Sequence, residues 1–380
     1  MIQQKRIVDH FLELVQIDSE TKHEQQISAY LKKAFAELGL TVDEDDTAAK
    51  TGHGSGNLIC KLAATDPNPA LPTVFFTSHM DTVLPGKGVK PTVHEDGYIR
   101  SDGTTILGSD DKAGLAAMFE AIRVLKEQNI KHGPLLFIIT AGEESGLIGS
   151  RAMDAKWVKA DYGYALDSNG QIGDIAVAAP TQAKIHITFT GKSAHAGVNP
   201  EDGLSAIQVA SKAVARMPLG RIDKETTANI GRFAGGISGS TNIVVETAEL
   251  EAEARSIVQS KLDAQVEAMR KACLDVGQET GAKVQFISDV VYPAYMHDES
   301  SPVVKLAFRA LESCGCKPRT FHTGGGSDAN VFNGLGVPTV NLAVGYEHIH
   351  TTKEQIAVKD LVKTAEVVVA IVKEAAKSGS

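Results

Sequence analysis

Residues 73–81 read TVFFTSHMD, and residues 135–144 read LLFIITAGEE. In both, a short run of aromatic, branched and aliphatic residues breaks off into acidic or imidazole groups. Continuous apolar runs of this length suit strands buried on both faces of a sheet. Two more follow the same plan: Tyr164–Leu166 leads into Asp167, and Val337–Val344 leads into GYEHIH. Between the first two lies a segment, about 111–127, that places Leu115, Met118, Phe119, Ile122 and Leu125 on one side of a helix. Strands alternating with helices predict an α/β fold, a mixed sheet flanked by helices.

Working outward, residues 5–40 read as two helices. In the second, Ile27, Tyr30, Leu31, Ala34, Phe35 and Leu38 share one face, and Gly39 stops it. The polar, glycine-rich segment 41–57 reads as a loop. Residues 180–291 have another texture: strand Lys184–Thr190, helix Leu204–Met217, strands Asn229–Phe233 and Asn242–Arg255, helix Leu262–Val276, strand Lys283–Val290. That order is a βαββαβ unit of ferredoxin-like type. It interrupts the α/β stretches, so the chain divides into a domain of 1–179 plus 292–380 and an inserted α+β domain of 180–291. The last helix, about 358–377, carries VVVAIV and is expected to pack on the sheet.

A chain of 380 residues is about right for two domains, and 43% hydrophobic with 22% charged residues is an ordinary globular composition. The net charge of −9 disfavours a nucleic-acid partner, which needs a basic field. No apolar run approaches the ~20 residues of a membrane helix, and MIQQKRIVDH has no secretory apolar core. Cys60, Cys273, Cys314 and Cys316 are too few and scattered for a disulfide framework. A cytoplasmic protein with reduced thiols is expected.

Ligands gather outside the carboxyl ends of strands in such sheets, and that is where the acidic and imidazole groups fall. His79 and Asp81 are one residue apart; Asp110 lies in GSDDKAG; Glu143 and Glu144 are adjacent in a turn; Asp167 closes YGYALD; His350 opens HTTKE, where Thr351 and Glu354 match a helix capping box. Two histidines among carboxylates suit zinc, manganese or cobalt. That many candidate ligands are too many for one tetrahedral zinc and suit two ions sharing a carboxylate. Each residue also has a plainer reading: a backbone-bonded histidine, a helix N-cap for Asp110, a solvated turn for the glutamates, an Asx-turn for Asp167. Those readings need independent coincidences at several strand ends of one sheet. No GxSxG elbow, GxxxxGK loop or strand-borne GxGxxG occurs, which disfavours serine hydrolases and nucleotide enzymes.

Taken in order, SHMDTV, GSDDKAG, AGEESG, YALD and HTTKE resemble the co-catalytic zinc exopeptidase family, which includes peptidase T, glutamate carboxypeptidase and acetylornithine deacetylase. The resemblance spans nearly the whole chain and is strongest to peptidase T. It implies a phosphorylase/hydrolase-like catalytic domain with a lid and dimerisation domain inserted. It implies two Zn2+ ions, one held by His79, Asp110 and Asp167, the other by Asp110, Glu144 and His350, with Asp110 as the bridge. Asp81 would orient His79, and Glu143 would be the general base. His350, standing just before HTTKE, is preferred to His348. In the inserted domain, GKSAHAGVNPEDG is similar to the segment whose histidine, here His195, stabilises the oxyanion in a partner subunit. Asn242 and Arg255 are similar to substrate-side lid residues, although a surface salt bridge accounts for Arg255 as well. Gly325 and Gly326, in GGGSDAN, match the loop lining the substrate terminus.

The implied activity is hydrolysis of the N-terminal peptide bond of short peptides by a homodimer that touches neither nucleic acid nor membrane. Asp167 favours the aminopeptidase branch, since the deacylase branches carry glutamate there. Gly324 stands where aminotripeptidases have an arginine, so a preference for tripeptides is not implied. The alternative is an N-acyl amino acid amidohydrolase with the same two-metal site. A catalytically silent scaffold would have lost Glu143 or a ligand, and neither is lost.

Overall fold

The computed structural model describes residues 1–377. They form two compact units: Met1–Ala178 with His297–Thr323 and the residues from Ser327 onward, and Ala179–Met296 with Gly324–Gly326.

The first unit runs, in chain order, α1 (Gln4–Val15), α2 (Gln25–Glu37), β1 (Thr41–Glu44), β2 (Leu58–Leu62), β3 (Val74–His79), α3 (Ser109–Glu127), β4 (Leu135–Thr140), β5 (Tyr162–Ser168), β6 (Asp174–Ala179), α4 (Pro302–Ser313), β7 (Arg319–His322), α5 (Asp328–Gly334), β8 (Thr339–Ala343) and α6 (Val358–Lys377). The strands lie in the order β1-β2-β4-β3-β5-β8-β6, with β7 beside β6. The centre is parallel: β3 pairs with β4 and β5, and β8 with β5. The β1-β2, β2-β4 and β8-β6 pairs are antiparallel, so the sheet is mixed.

Alternation along the strands fills both faces. Val74 and Phe76, with Leu135, Phe137 and Ile139, join the large core that takes in α1, α2, α3, α4 and α6. Phe75, Leu136 and Ile138 point the other way, into a smaller cluster with Phe332 of α5 and Val337. Aromatic rings cross the large core in a chain, Phe35 on Phe119 at 4.2 Å and Phe76 on Phe137 at 5.8 Å between centroids. No helix among the described residues is long and apolar enough to cross a membrane.

Segment 41–57 departs from the loop expected of it. Thr41–Glu44 is an edge strand, and Thr47–Thr51 a short helix. Buried Asp45 organises this stretch, accepting from the backbone N–H of Thr47 and of Asn57. An edge strand of four residues with polar side chains carries no apolar run to betray it. The strand beside it, Leu58–Leu62, is short, and exposed Lys61 interrupts its apolar run.

In the second unit, strands Thr181–Thr190, Thr226–Gly235, Thr247–Ser256 and Lys283–Tyr292 alternate with helices Ala206–Arg216 and Gln259–Thr280 in βαββαβ order. All pairings are antiparallel, and Thr181–Thr190 lies between Thr247–Ser256 and Lys283–Tyr292. Both helices pack their apolar faces on one side of this sheet, around Phe189, Leu250 and Met269.

His10, in α1, is 6% exposed, lies 2.9 Å from the Tyr30 hydroxyl and meets the Phe119 ring edge-on. Burial, with the nearby Arg123 charge, lowers its pKa to about 4. The unfolded chain takes up this proton near pH 6.5 and the folded chain resists it, so the stability tied to His10 is full above that pH and declines towards pH 4. His10→Phe should remove this part of the acid sensitivity. The urea midpoint should drop less between pH 7.5 and pH 5 in the variant than in the unaltered protein, and equal drops would contradict the assignment.

Candidate metal centre

β3 ends at His79, so Asp81 lies beyond the strand and does not simply alternate with it. The His79 ring is 1% exposed. Its Nδ1 is 2.9 Å from the carbonyl oxygen of Asp81 and 3.6 Å from Asp81 Oδ1, which leaves Nε2 facing Asp110 Oδ1 at 2.9 Å and Asp167 Oδ1 at 3.8 Å. The Asp81 carboxylate is fully buried and reaches across the sheet: Glu143 N–H donates to Oδ1 at 3.0 Å and Glu144 N–H to Oδ2 at 3.2 Å. One aspartate thus fixes both an imidazole and the turn that carries two glutamates.

Asp110 does not act as a helix N-cap. It and Asp111 leave the helical conformation at the head of α3, and the peptide between them is cis. The two Asp110 oxygens divide their contacts, Oδ1 towards His79 and Oδ2 to His350 Nε2 at 3.2 Å. His350 Nε2 also lies 3.0 Å from Glu144 Oε1. Asp167, at the end of β5, accepts from the Tyr346 hydroxyl at 3.0 Å, while its backbone N–H and C=O both pair with the Asn341 side chain. The five residues expected as ligands therefore come together, and His348 is not among them.

His350 sits in a hairpin loop rather than at a helix start. Strands Tyr346–Glu347 and Gln355–Ala357 pair antiparallel, so the capping box expected at Thr351 and Glu354 does not form. Glu354 instead turns inwards, 1% exposed, and accepts from Leu107 N–H at 2.8 Å, Gly108 N–H at 2.9 Å, Asp110 N–H at 3.0 Å and the Ser109 hydroxyl at 2.6 Å. It holds the segment that presents Asp110. Its spacing from Thr351 matches a capping box, which hid this role.

Asp111 is a second residue that the sequence reading passed over. It is fully buried, one of its oxygens lies in a cluster with His79 and Asp167, and Oδ2 has no hydrogen-bond partner among the described residues. Its adjacency to Asp110 was the available signal.

Burial pushes the Asp111, Glu143, Glu144 and Asp167 carboxyls upward, and mutual repulsion adds to it: Asp167 raises Asp111 and Glu143, and Asp110 raises Asp167 and Glu144. Hydrogen bonds to Asp110 and Glu144 carry His350 up to about 10. Divalent cations would relieve this crowding of negative charge. Donor chemistry, the bridging placement of Asp110 and the orphaned Asp111 oxygen all fit a pair of such ions. The His79, Asp110 and Glu144 ligand atoms lie within 4.8 Å of one another, as do those of His79, Asp111 and Asp167.

The two glutamates of the turn differ. Glu144 is bonded to His350, whereas the Glu143 carboxylate has no hydrogen bond or ion pair among the described residues. A carboxylate left free beside such a cluster can accept a proton from a reacting group.

The residues expected on the second unit are placed as follows. His195 lies on a two-residue strand paired with Ile243–Val244, and Asn242 adjoins it, its carbonyl accepting from Ala196 N–H at 2.9 Å. Arg255 is paired with Glu253 by two hydrogen bonds, of 2.9 and 3.1 Å, and reaches Gly324 O at 3.4 Å. The salt bridge allowed for Arg255 is present. A Cβ at Gly326 would run into the Tyr292 ring at 2.2 Å, so the loop needs glycine there.

Fold and cluster together define a metal-dependent hydrolase. The chain belongs to peptidase family M20/M25/M40, whose sequence profile matches residues 75–374. The chain is 58% identical to the protein YqjE of Bacillus subtilis (strain 168) over 99% of its own length and 100% of that protein's. It is also 58% identical to the aminopeptidase PepT of Bacillus cereus ATCC 10987, whose crystal structure matches with a TM-score of 0.92 over 99% of each chain. A tripeptidase from Staphylococcus aureus is 46% identical, with a TM-score of 0.95 over 99% of this chain and all of that one.

Glu354→Gln turns one of its two accepting oxygens into an NH2 group, which faces N–H and O–H donors it can no longer accept from. It should weaken divalent-metal affinity by about 10–100-fold, the usual cost of losing such support. Chelator competition measures this, and unchanged affinity would show that Glu354 does not hold Asp110.

Proposed function

We propose that the chain is a two-metal aminopeptidase that hydrolyses the N-terminal peptide bond of short peptides. The observation that carries this is Asp110 shared between two imidazoles, with a free carboxylate, Glu143, beside it. The likeness to an aminopeptidase and a tripeptidase at 58% and 46% identity supports the same reading. His79, Asp110 and Asp167 would hold one ion and Asp110, Glu144 and His350 the other. Zinc is the proposed metal, and manganese or cobalt suits the same donors. The ions would supply Lewis acidity at the scissile carbonyl and make a shared water acidic.

The chain's own residues then have separate tasks. Asp81 holds the His79 ring by its carbonyl and the 143–144 turn by its carboxylate. Glu143 takes a proton from the attacking water and hands it to the leaving amine as the C–N bond breaks. Tyr346 and Asn341 keep Asp167 turned to the cluster. His195 is proposed as the oxyanion donor, and Asn242, Arg255, Gly325 and Gly326 as substrate-side residues. The cytoplasm and a homodimer formed through the second unit complete the proposal. The N-acyl amino acid amidohydrolase reading is not favoured.

Glu143→Ala should keep the divalent-metal content and lower kcat by about 10²–10⁴-fold, the usual contribution of a general base. Wild-type turnover in that variant would overturn the base assignment. A panel of free tripeptides, N-blocked tripeptides and acetylated amino acids separates the two activities. Cleavage of free peptides is expected, and activity confined to acylated substrates would overturn the peptidase reading.

A further inference from the structure

The turn that carries Glu143 is gripped from behind by the glycine-rich segment 52–57. The Asn57 side chain spans the turn: its Oδ1 accepts from Ala141 N–H at 3.2 Å, and its Nδ2 donates to Gly149 O at 2.9 Å. Asp45 fixes that amide in turn. At the first corner Gly142 has φ +69°, and a Cβ there would lie 2.6 Å from Cδ2 and Nε2 of His53. The imidazole therefore rests directly against the Gly142 backbone.

His53 is 8% exposed, and neither ring nitrogen has a hydrogen-bond partner among the described residues. A buried polar ring without partners calls for an explanation beyond its own bonding. Its backbone is well anchored. Glu24, itself fully buried, accepts from Gly54 N–H at 2.6 Å and from Lys22 N–H at 2.7 Å. His53 N–H reaches Thr51 Oγ1 at 3.4 Å.

The Glu143 carboxylate has no side-chain partner, so its place is set by the backbone of the turn. Asp81 holds the N–H groups of Glu143 and Glu144, and Thr21 Oγ1 meets Ser145 Oγ at 2.7 Å. The corner before them, Gly142, is in a left-handed conformation open to glycine. We propose that His53 is a positioning residue for Glu143: its ring blocks the Gly142 corner from swinging back and so fixes where the next carboxylate points. The inference rests on Glu143 being the general base.

A double-mutant cycle on the full-length metal-loaded enzyme tests it, with kcat counted per metal-loaded molecule and Glu143→Gln as control. His53→Ala should lower kcat by about 10–100-fold, the cost of a misplaced catalytic group, while KM and metal content stay near wild type. His53→Phe, which keeps a ring on Gly142, should restore most of kcat. Gly142→Ala drives a methyl into the ring, so its loss should be smaller in the His53→Ala background than in wild type. A purely structural role would lower Tm and leave kcat per loaded molecule unchanged. Near-wild-type kcat in His53→Ala, or an additive cycle, overturns the inference. Full activity in Glu143→Gln removes the general-base reading instead and the inference with it, whereas an inactive Glu143→Gln beside an unaltered His53→Ala removes the inference alone.

Discussion

The first unit is organised around one carboxylate, Asp110, whose two oxygens face two imidazoles from distant parts of the chain. Holding charged groups buried at hydrogen-bond distance is unfavourable unless each is oriented and satisfied by its surroundings. The surroundings here are extensive. Glu354 collects three backbone N–H groups and a hydroxyl to shape the strand-to-helix passage that presents Asp110. Asp81 fixes His79 on one side and the 143–144 turn on the other. Supporting carboxylates of this kind orient metal ligands and raise their basicity.

The division of labour within the 143–144 pair follows from the same arrangement. Glu144 is committed to His350, and its neighbour is left without a partner in a region where burial and repulsion hold its pKa well above the usual carboxylate range. Two adjacent residues of one type thus acquire different environments, one bonded to an imidazole and the other without a partner. The contacts of Asn57, Thr21 and His53 behind that turn make it a built feature rather than a surface loop.

The central strands were legible because burial on both faces demands unbroken apolar runs, and β3, β4, β5 and β8 all have them. The proposed ligands were legible because they fall where those runs end. What escaped was polar and local. β1 and the Thr47–Thr51 helix are organised by Asp45 hydrogen bonds, not by apolar periodicity. Glu354 mimicked a capping box, while its real partners are some 245 residues earlier in the chain. Asp111 was overshadowed by Asp110, since sequence alone does not tell which of two adjacent aspartates turns inward; both do. Arg255 was readable in two ways, and the fold shows it paired with Glu253, two residues earlier on the same strand.

The central claim is that Asp110 bridges two cations. Anomalous diffraction from crystals of the full chain grown with Zn2+ or Mn2+ tests it most directly. The account predicts two peaks about 3.5–4 Å apart, one beside His79 and Asp167, the other beside Glu144 and His350, with an Asp110 oxygen on each. A single peak, or two peaks that do not share Asp110, would contradict it.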